Sequence, residues 1–454
     1  MRSINPATLE MVSETPELTP EGLEAKLVRG YSAARLWRET SFAERSILMK
    51  KAGEELRKQK ESLAKLVSLE VGKTLAAASG EVEKCAGVCD YYAENAEKIL
   101  ASEVIKTEAS ESYVQFDPLG VVLAVMPWNF PLWQVFRFAA PALMAGNVGV
   151  LKHASNVQGG AKAIEDIFKT AGFPEGVFLN LAIGAARVES VIRDPRIVAV
   201  TLTGSEKAGS SVAKIAGEEL KKCVLELGGS DPFIVFADAD IENAVKTATN
   251  ARMQNNAGQS CISAKRFIIH ESIAEKFAEL LTQAVSKLKV GDPLDATTDV
   301  GPLVNEQMVN DIDRQVQESV KLGAKITTGG KRKEGTGYFY LPTVLTGVTN
   351  EMPVYKEETF GPVLPVITFT TDDEAVYIAN DSVYGLGATV FSKDIEKAKK
   401  LASKIDSGAV FINSQVKSDA RLPFGGVKKS GYGRELSTYG IKEFVNIKTV
   451  SVGS

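Results

Sequence analysis

The feature that most constrains this chain is a change of texture near residue 114. Residues 21–100 are charge-rich, with apolar residues recurring at three- and four-residue steps, as in AERSILMKKAGEELRKQKESLAKLVSLEVGKTLAAA, a helical pattern. After it come short β-branched runs, GVVLAVM, NVGVLK, VFLNLA and RIVAVTLTG, alternating with helical segments. That rhythm belongs to βαβ units and a parallel sheet, and the continuous apolar runs suit a sheet covered on both faces. A second α/β rhythm starts near 231 with DPFIVFADADIENAVKTATNARM, a strand followed by a helix opened by Asp238 or Asp240. It continues through KRFIIH, PVLPVITF, GLGATVF and GAVFIN. The final residues, FVNIKTVSVGS, alternate like an edge strand that finds a partner in another subunit. At 454 residues the chain is long enough for two or three such units.

Charge narrows the partners. Lys plus Arg number 53 and Asp plus Glu 57, without a basic tract, so no electrostatic footprint for nucleic acid or an anionic membrane surface is present. No run approaches the apolar length of a membrane span, and residues 1–18 have no apolar core of signal-peptide length. Four cysteines make no disulfide framework and no zinc-site spacing, so no metal is expected. A soluble, cytoplasmic protein is the expectation.

Cys261, in NNAGQSCISAKRF, follows Asn, Gly, Gln and Ser, a polar turn that leaves a thiol accessible. Cys85 and Cys89 in a helical stretch, and Cys223 in KKCVLEL, fit instead the commoner role of a small buried hydrophobe. A catalytic thiol needs a group to manage its proton. Glu226, in VLELGGSDP, ends an apolar strand, and the residues between it and Cys261 fit one strand, one helix and a loop. The two histidines, His153 and His270, are the other choice and would make a thiol hydrolase or acyltransferase. Asn129 in PWNFP follows the strand GVVLAVM between two bulky rings, where its amide can donate to an oxyanion. No GxGxxG stands in a strand–turn–helix setting. RIVAVTLTGSEKAGSS instead gives a strand, Gly204, and Gly209 opening a helix, with Ser210 where a P-loop needs lysine. That helix N-terminus suits a pyrophosphate rather than ATP hydrolysis, and Lys152 in LKHAS can reach a ribose or a phosphate.

Six motifs in order carry a resemblance over nearly the whole chain: PWNFP (127–131), LTGS (202–205), ELGG (226–229), GQSC (258–261), EETFGPV (357–363) and PFGGVKKSGYGRE (423–435). They resemble the NAD(P)-dependent aldehyde dehydrogenase superfamily, and MPWNFPLWQVFR and LELGGSDPFIV are most similar to its succinate-semialdehyde dehydrogenases. The resemblance implies an α/β fold with a Rossmann-like cofactor domain, an α/β catalytic domain and a small β oligomerisation element. Residues 1–228 would form the first, with a strand segment at about 101–118 lent to the oligomerisation element; residues 229–430 would form the second and 431–454 the C-terminal oligomerisation segment. A homodimer or homotetramer follows.

By the same resemblance Cys261 attacks the aldehyde, Asn129 and the Cys261 amide hold the oxyanion, and Glu226 activates the hydrolytic water. NAD or NADP would be held by Trp128, Lys152, Gly204, Ser205, Leu227, Glu358 and Phe360. Ser155 stands where NAD-preferring members often carry glutamate, which opens the site to a 2′-phosphate, and the glycine-rich loop near Gly184 is thin. For the substrate, the resemblance implies a short aldehyde with a distal carboxylate, read by Arg137, Trp133 and Ser418. Trp133 and Arg137 lie four residues apart, on one helix face. Asn255 replaces an arginine of the semialdehyde enzymes, a loss that Lys417 or Arg421 could offset.

Overall fold

The computed structural model describes residues 1–254 and 256–453. The first α/β rhythm forms a six-stranded sheet in the order Gly431–Tyr432, Lys222–Glu226, Ile197–Thr203, Val121–Met126, Val148–His153 and Phe178–Asn180. All neighbours are parallel except the edge strand Gly431–Tyr432. Sequence order runs outward in both directions from Val121–Met126, so the direction of travel switches between it and Ile197–Thr203. In an open α/β sheet that switch leaves a crevice beyond the carboxyl ends of the two strands, where ligands bind. PWNFP follows one of these strands and Gly204–Ser205 follows the other.

The second rhythm forms a seven-stranded sheet in the order Lys325–Thr328, Thr343–Thr346, Val363–Phe369, Arg266–His270, Pro232–Val235, Gly387–Phe391 and Ala409–Ile412. Only the Lys325–Thr328 edge is antiparallel. Its centre packs Phe233 against Phe267 and Phe391, with ring centroids 5.4 and 5.1 Å apart. Of the two candidate caps, Asp240 opens the helix Ile241–Thr249, accepting from the Asn243 amide at 3.0 Å. Asp238 accepts instead from the amides of Lys393 and Asp394.

Four helices, Pro20–Trp37, Phe42–Lys58, Lys60–Val71 and Leu75–Ile99, precede the first sheet and share its core. Leu75–Ile99 packs on Trp133–Met144, a helix buried along its whole length. Val445–Val452 pairs antiparallel with Glu111–Pro118, which in turn pairs with Glu103–Val104. The segment 431–454 is therefore divided. Gly431–Tyr432 closes the first sheet against Leu225 and Glu226, and only Val445–Val452 belongs to the three-stranded arm. The sequence pattern missed this because a two-residue strand carries no apolar period. Val445–Val452 is an edge strand whose one partner lies in its own chain.

Candidate active site

The Cys261 loop is clamped from several directions. Arg252, with no exposed surface, donates to the Val363 and Thr359 carbonyls at 2.9 and 2.6 Å and to Ser263 Oγ at 3.2 Å. It thereby ties the cysteine loop to EETFGPV. Lys265 Nζ donates to the Ser260 and Cys261 carbonyls at 2.9 and 2.7 Å and pairs with Glu358 at 3.4 Å. Two glycines permit the close approach. A Cβ on Gly258, whose φ is +75°, would lie 2.1 Å from the Gly361 carbonyl oxygen, and one on Gly229 would lie 2.6 Å from that of Cys261. The Cys261 amide has no acceptor among the described residues.

Asn129 is locked opposite this loop. Its Nδ2 donates to the Gln259 carbonyl at 3.0 Å and its Oδ1 accepts from Gln134 Nε2 at 3.0 Å. The first bond assigns which end of the amide is nitrogen, because a backbone carbonyl can only accept. One Nδ2 hydrogen remains for another acceptor.

Glu226 ends its strand with 1% of its surface exposed and neither carboxylate oxygen hydrogen-bonded. Burial, helped by the Glu435 charge, pushes its carboxyl well above the usual range, while Arg137 and Arg434 oppose. Glu435 is raised by burial too, against the pull of Arg137, its ion-pair partner. Arg137 thus pairs with Glu435 and acts on Glu226 through its charge alone. Burial pushes the Cys261 thiol up to about 12, with the Arg137 and Lys265 charges opposing. A resting thiol rather than a thiolate follows.

A cavity of about 270 Å³ fills the switch-point crevice, lined by Trp128, Asn129, Gly204, Leu227, Cys261 and Glu358. Phe360 closes it edge-on to Trp128, with centroids 5.9 Å apart. Leu227 donates its N–H to Ser430, and its carbonyl accepts nothing among the described residues. Glu358 Oε1 accepts from the Gly229 amide at 3.1 Å. The Gly204 amide, expected on a pyrophosphate, is already bonded to the Glu226 carbonyl at 3.0 Å, and Ser205 Oγ caps the helix Glu206–Glu218. Among the described residues the Ser205, Glu206 and Lys207 amides are the ones left at that N-terminus. Lys152 is buried at its strand end and forms no ion pair among the described residues, and Ser155 is exposed in the turn beyond. Burial lowers the Lys152 pKa, with Glu17 opposing. Glu17 also accepts from the Gly184 amide at 3.2 Å. Crevice, free amides, free carbonyl and lysine fit a dinucleotide.

Neither histidine serves the thiol. His153 has no exposed surface; its Nε2–H donates to the Pro131 carbonyl at 2.8 Å and Nδ1 accepts from the Ala154 amide. Burial holds its pKa down at about 4. His270 instead caps the helix Glu271–Ser286.

A second cavity of about 260 Å³ adjoins the cysteine loop, lined by Ile262, Leu386, Lys417, Ser418 and Phe424. Arg137 is buried beside it. Besides its pair with Glu435, Arg137 donates to Thr203 Oγ1 at 3.2 Å and lies 4.5 Å over the Phe424 ring. Trp133 and Ser418 meet at a residue the sequence reading passed over. Lys84 donates to Ser418 Oγ at 2.6 Å and lies 4.2 Å from the Trp133 ring centroid. Of the other cations considered, Arg421 is held toward solvent by Asp419 and Lys417 is exposed, while Asn255 lies outside the described residues. Glu81 was passed over too. It accepts from the Leu132 and Trp133 amides at 2.9 Å each and forms a buried ion pair with Lys73, which lies 3.6 Å from the Phe130 ring centroid. Glu81, Lys84 and Cys85 share one helix face, a pattern that signals a buried, polar-studded side of Leu75–Ile99.

Residues 1–450 match the aldehyde dehydrogenase family. A Synechocystis protein named probable succinate-semialdehyde dehydrogenase, NADP(+), is 52% identical over 448 residues, 99% of this chain and 98% of that protein. A Mycobacterium tuberculosis succinate-semialdehyde dehydrogenase, NADP(+) 1, is 51% identical over 451 residues, 99% of this chain and 98% of its own. The crystal structure of the Streptococcus pyogenes succinic semialdehyde dehydrogenase in complex with NADP+ superposes with a TM-score of 0.97 at 40% identity, covering 100% of both chains. With Cys261 and Asn129 lining one crevice and the match running over residues 1–450, the chain belongs to the aldehyde dehydrogenase family.

Proposed function

We propose that this member of the family oxidises succinate semialdehyde to succinate with NADP+. The observation that carries the reading is that Cys261 and Asn129 line the dinucleotide crevice beside the cavity lined by Ser418, with Glu226 buried close enough for its charge to act on the thiol. The names of relatives at half identity over the full length support the substrate and the cofactor.

Cys261 Sγ attacks the aldehyde carbon, its proton leaving to water, so that Glu226 stays free to act as a base in the later hydrolysis. The oxyanion forms beside the free Asn129 N–H and the unpaired Cys261 amide. Donors of this kind, fixed before the reaction, are worth about 3–4 kcal/mol each. Asn129 is fixed by Gln134 and Gln259, so nothing reorganises as the charge develops. When bound, the nicotinamide supplies the hydride acceptor. Trp128, Phe360, Glu358 and the Leu227 carbonyl, which line the crevice with Cys261, would hold it. The resulting thioester is hydrolysed by water that Glu226 deprotonates. Glu226 is suited because its raised pKa makes it a stronger base than a surface carboxylate. The Ser205 amide and the first helix amides would hold the pyrophosphate, and Lys152 would meet a 2′-phosphate that the exposed Ser155 does not repel.

The outer edge of Val445–Val452 pairs with a second copy in a homo-oligomer. Four cysteines present as free thiols accord with the reducing cytoplasm. Among the described residues no helix is long and apolar enough to cross a membrane. The test of function is the ratio of kcat/KM for succinate semialdehyde to that for butanal with NADP+. A ratio well above one supports the carboxylated substrate, and a ratio at or below one overturns it.

A further inference from the structure

We propose that Lys84 reads the substrate's carboxylate, its ammonium and the Ser418 hydroxyl forming the anion subsite beside Cys261 and Ile262. The inference rests on the proposed carboxylated substrate and assigns the cation that selects it.

The arginine expected in this role is already answered. Arg137 is paired with Glu435 inside the protein, next to the raised carboxyl of Glu226, so a second carboxylate arriving there meets a compensated charge. Lys84 is placed differently. Lys73 pairs with Glu81 and Lys265 with Glu358, yet Lys84 forms no ion pair among the described residues. Its one hydrogen bond goes to a hydroxyl that lines the cavity, and its one aromatic neighbour is Trp133. A hydroxyl can turn to donate to a carboxylate while an ammonium donates beside it. An indole face steadies the cation meanwhile. Glu81, three residues before Lys84, anchors the first amides of the helix that carries Trp133, so lysine and indole are registered to each other by the backbone.

Charge surroundings agree. Burial, helped by the nearby charges of Arg137 and Lys73, lowers the Lys84 pKa to about 8, with Cys85 and Glu81 opposing. An ammonium so poorly compensated gains most from a bound anion. It also loses its charge just above neutrality, which makes the anion subsite pH-dependent.

Lys84→Met tests this through the ratio of kcat/KM on succinate semialdehyde to that on butanal with NADP+. Both numbers scale with the fraction of folded enzyme, so the ratio survives a partly unfolded variant. Loss of a charge-assisted bond predicts a fall of about tenfold to a hundredfold, carried by KM for the semialdehyde. In the parent enzyme the same ratio should fall as pH rises through about 8. Lys84→Arg should restore the ratio and remove that fall, and Lys417→Met should leave most of the ratio in place. A Lys84→Met ratio within about twofold of the parent, or a larger loss from Lys417→Met, would overturn the assignment. If the parent itself prefers butanal, the carboxylated substrate fails before Lys84 is in question.

Discussion

Glu81→Gln tests how the substrate helix is held. The Lys73 and Glu81 side chains have 0% and 1% of their surface exposed, so the pair lies in the interior. Glutamine keeps an oxygen for the Leu132 and Trp133 amides but removes the one carboxylate paired with Lys73 among the described residues. Breaking a buried pair from one side costs about 3–5 kcal/mol, because an uncompensated charge stays behind. A ceiling comes from the alternative of losing the proton. Neutralising at pH 7 a lysine of ordinary pKa 10.5 costs at most about 5 kcal/mol.

Loss of the proton gives the deficit a pH dependence that a retained charge would not. In the variant the folded-state lysine pKa falls far below its unfolded value, so between the two the unfolded chain binds more protons and stability rises with pH. The deficit should then shrink by up to about 1.4 kcal/mol for each pH unit above 7. Matched urea titrations of parent and variant at about pH 7 and pH 9 read it directly. Lys73→Met in the same chain should recover most of the loss, since a packed apolar pair is often as stable as an ionic one. Glu81→Gln should lower kcat as well, because the loosened helix carries Gln134, which fixes Asn129. A deficit under about 1 kcal/mol, or one that does not move with pH, would refute the reasoning.

Glu226→Gln should give a burst of reduced cofactor followed by slow turnover; steady turnover at the parent rate would assign hydrolysis to another base. The same variant should melt higher than the parent, by an amount that grows from about pH 4.5 upward. Its carboxyl pKa is raised on folding, so the penalty for burying the charge is absent in acid and develops as pH climbs. Ser155→Glu should shift preference from NADP+ toward NAD+ by about tenfold, read from kcat/KM with each cofactor, and an unchanged preference would free that turn of any role. Deleting residues 447–454 spares buried Phe444 and Val445 and should lower the mass seen by light scattering; an unchanged mass would place the interface elsewhere.

The sheets were legible because strands covered on both faces read as unbroken apolar runs, as in Val121–Met126 and Ile197–Thr203. Cys261, Glu226 and Asn129 were legible because each stands in a polar or glycine-rich break directly against such a run. The cations and acids that brace them were not. Lys73, Glu81, Lys84, Arg252 and Lys265 read as ordinary charged residues, since burial of a charge is decided by partners far along the chain. Glu81 meets amides 51 and 52 residues away, and Arg252 meets a carbonyl 111 away. Arg137 illustrates the same limit from the other side. Its helix face was readable, but its pairing with Glu435 depends on Gly431–Tyr432 returning to the first sheet, which no local period announces.

The central claim is that Cys261 turns an aldehyde into an acid at the expense of NAD(P)+. The most direct measurement is the near-ultraviolet absorbance of reduced cofactor after mixing the protein with succinate semialdehyde and NADP+, with Cys261→Ala run beside it. Absorbance should grow with the parent protein and stay flat with the variant. A flat trace from the parent with every aldehyde and either cofactor, or equal growth from Cys261→Ala, would contradict the account.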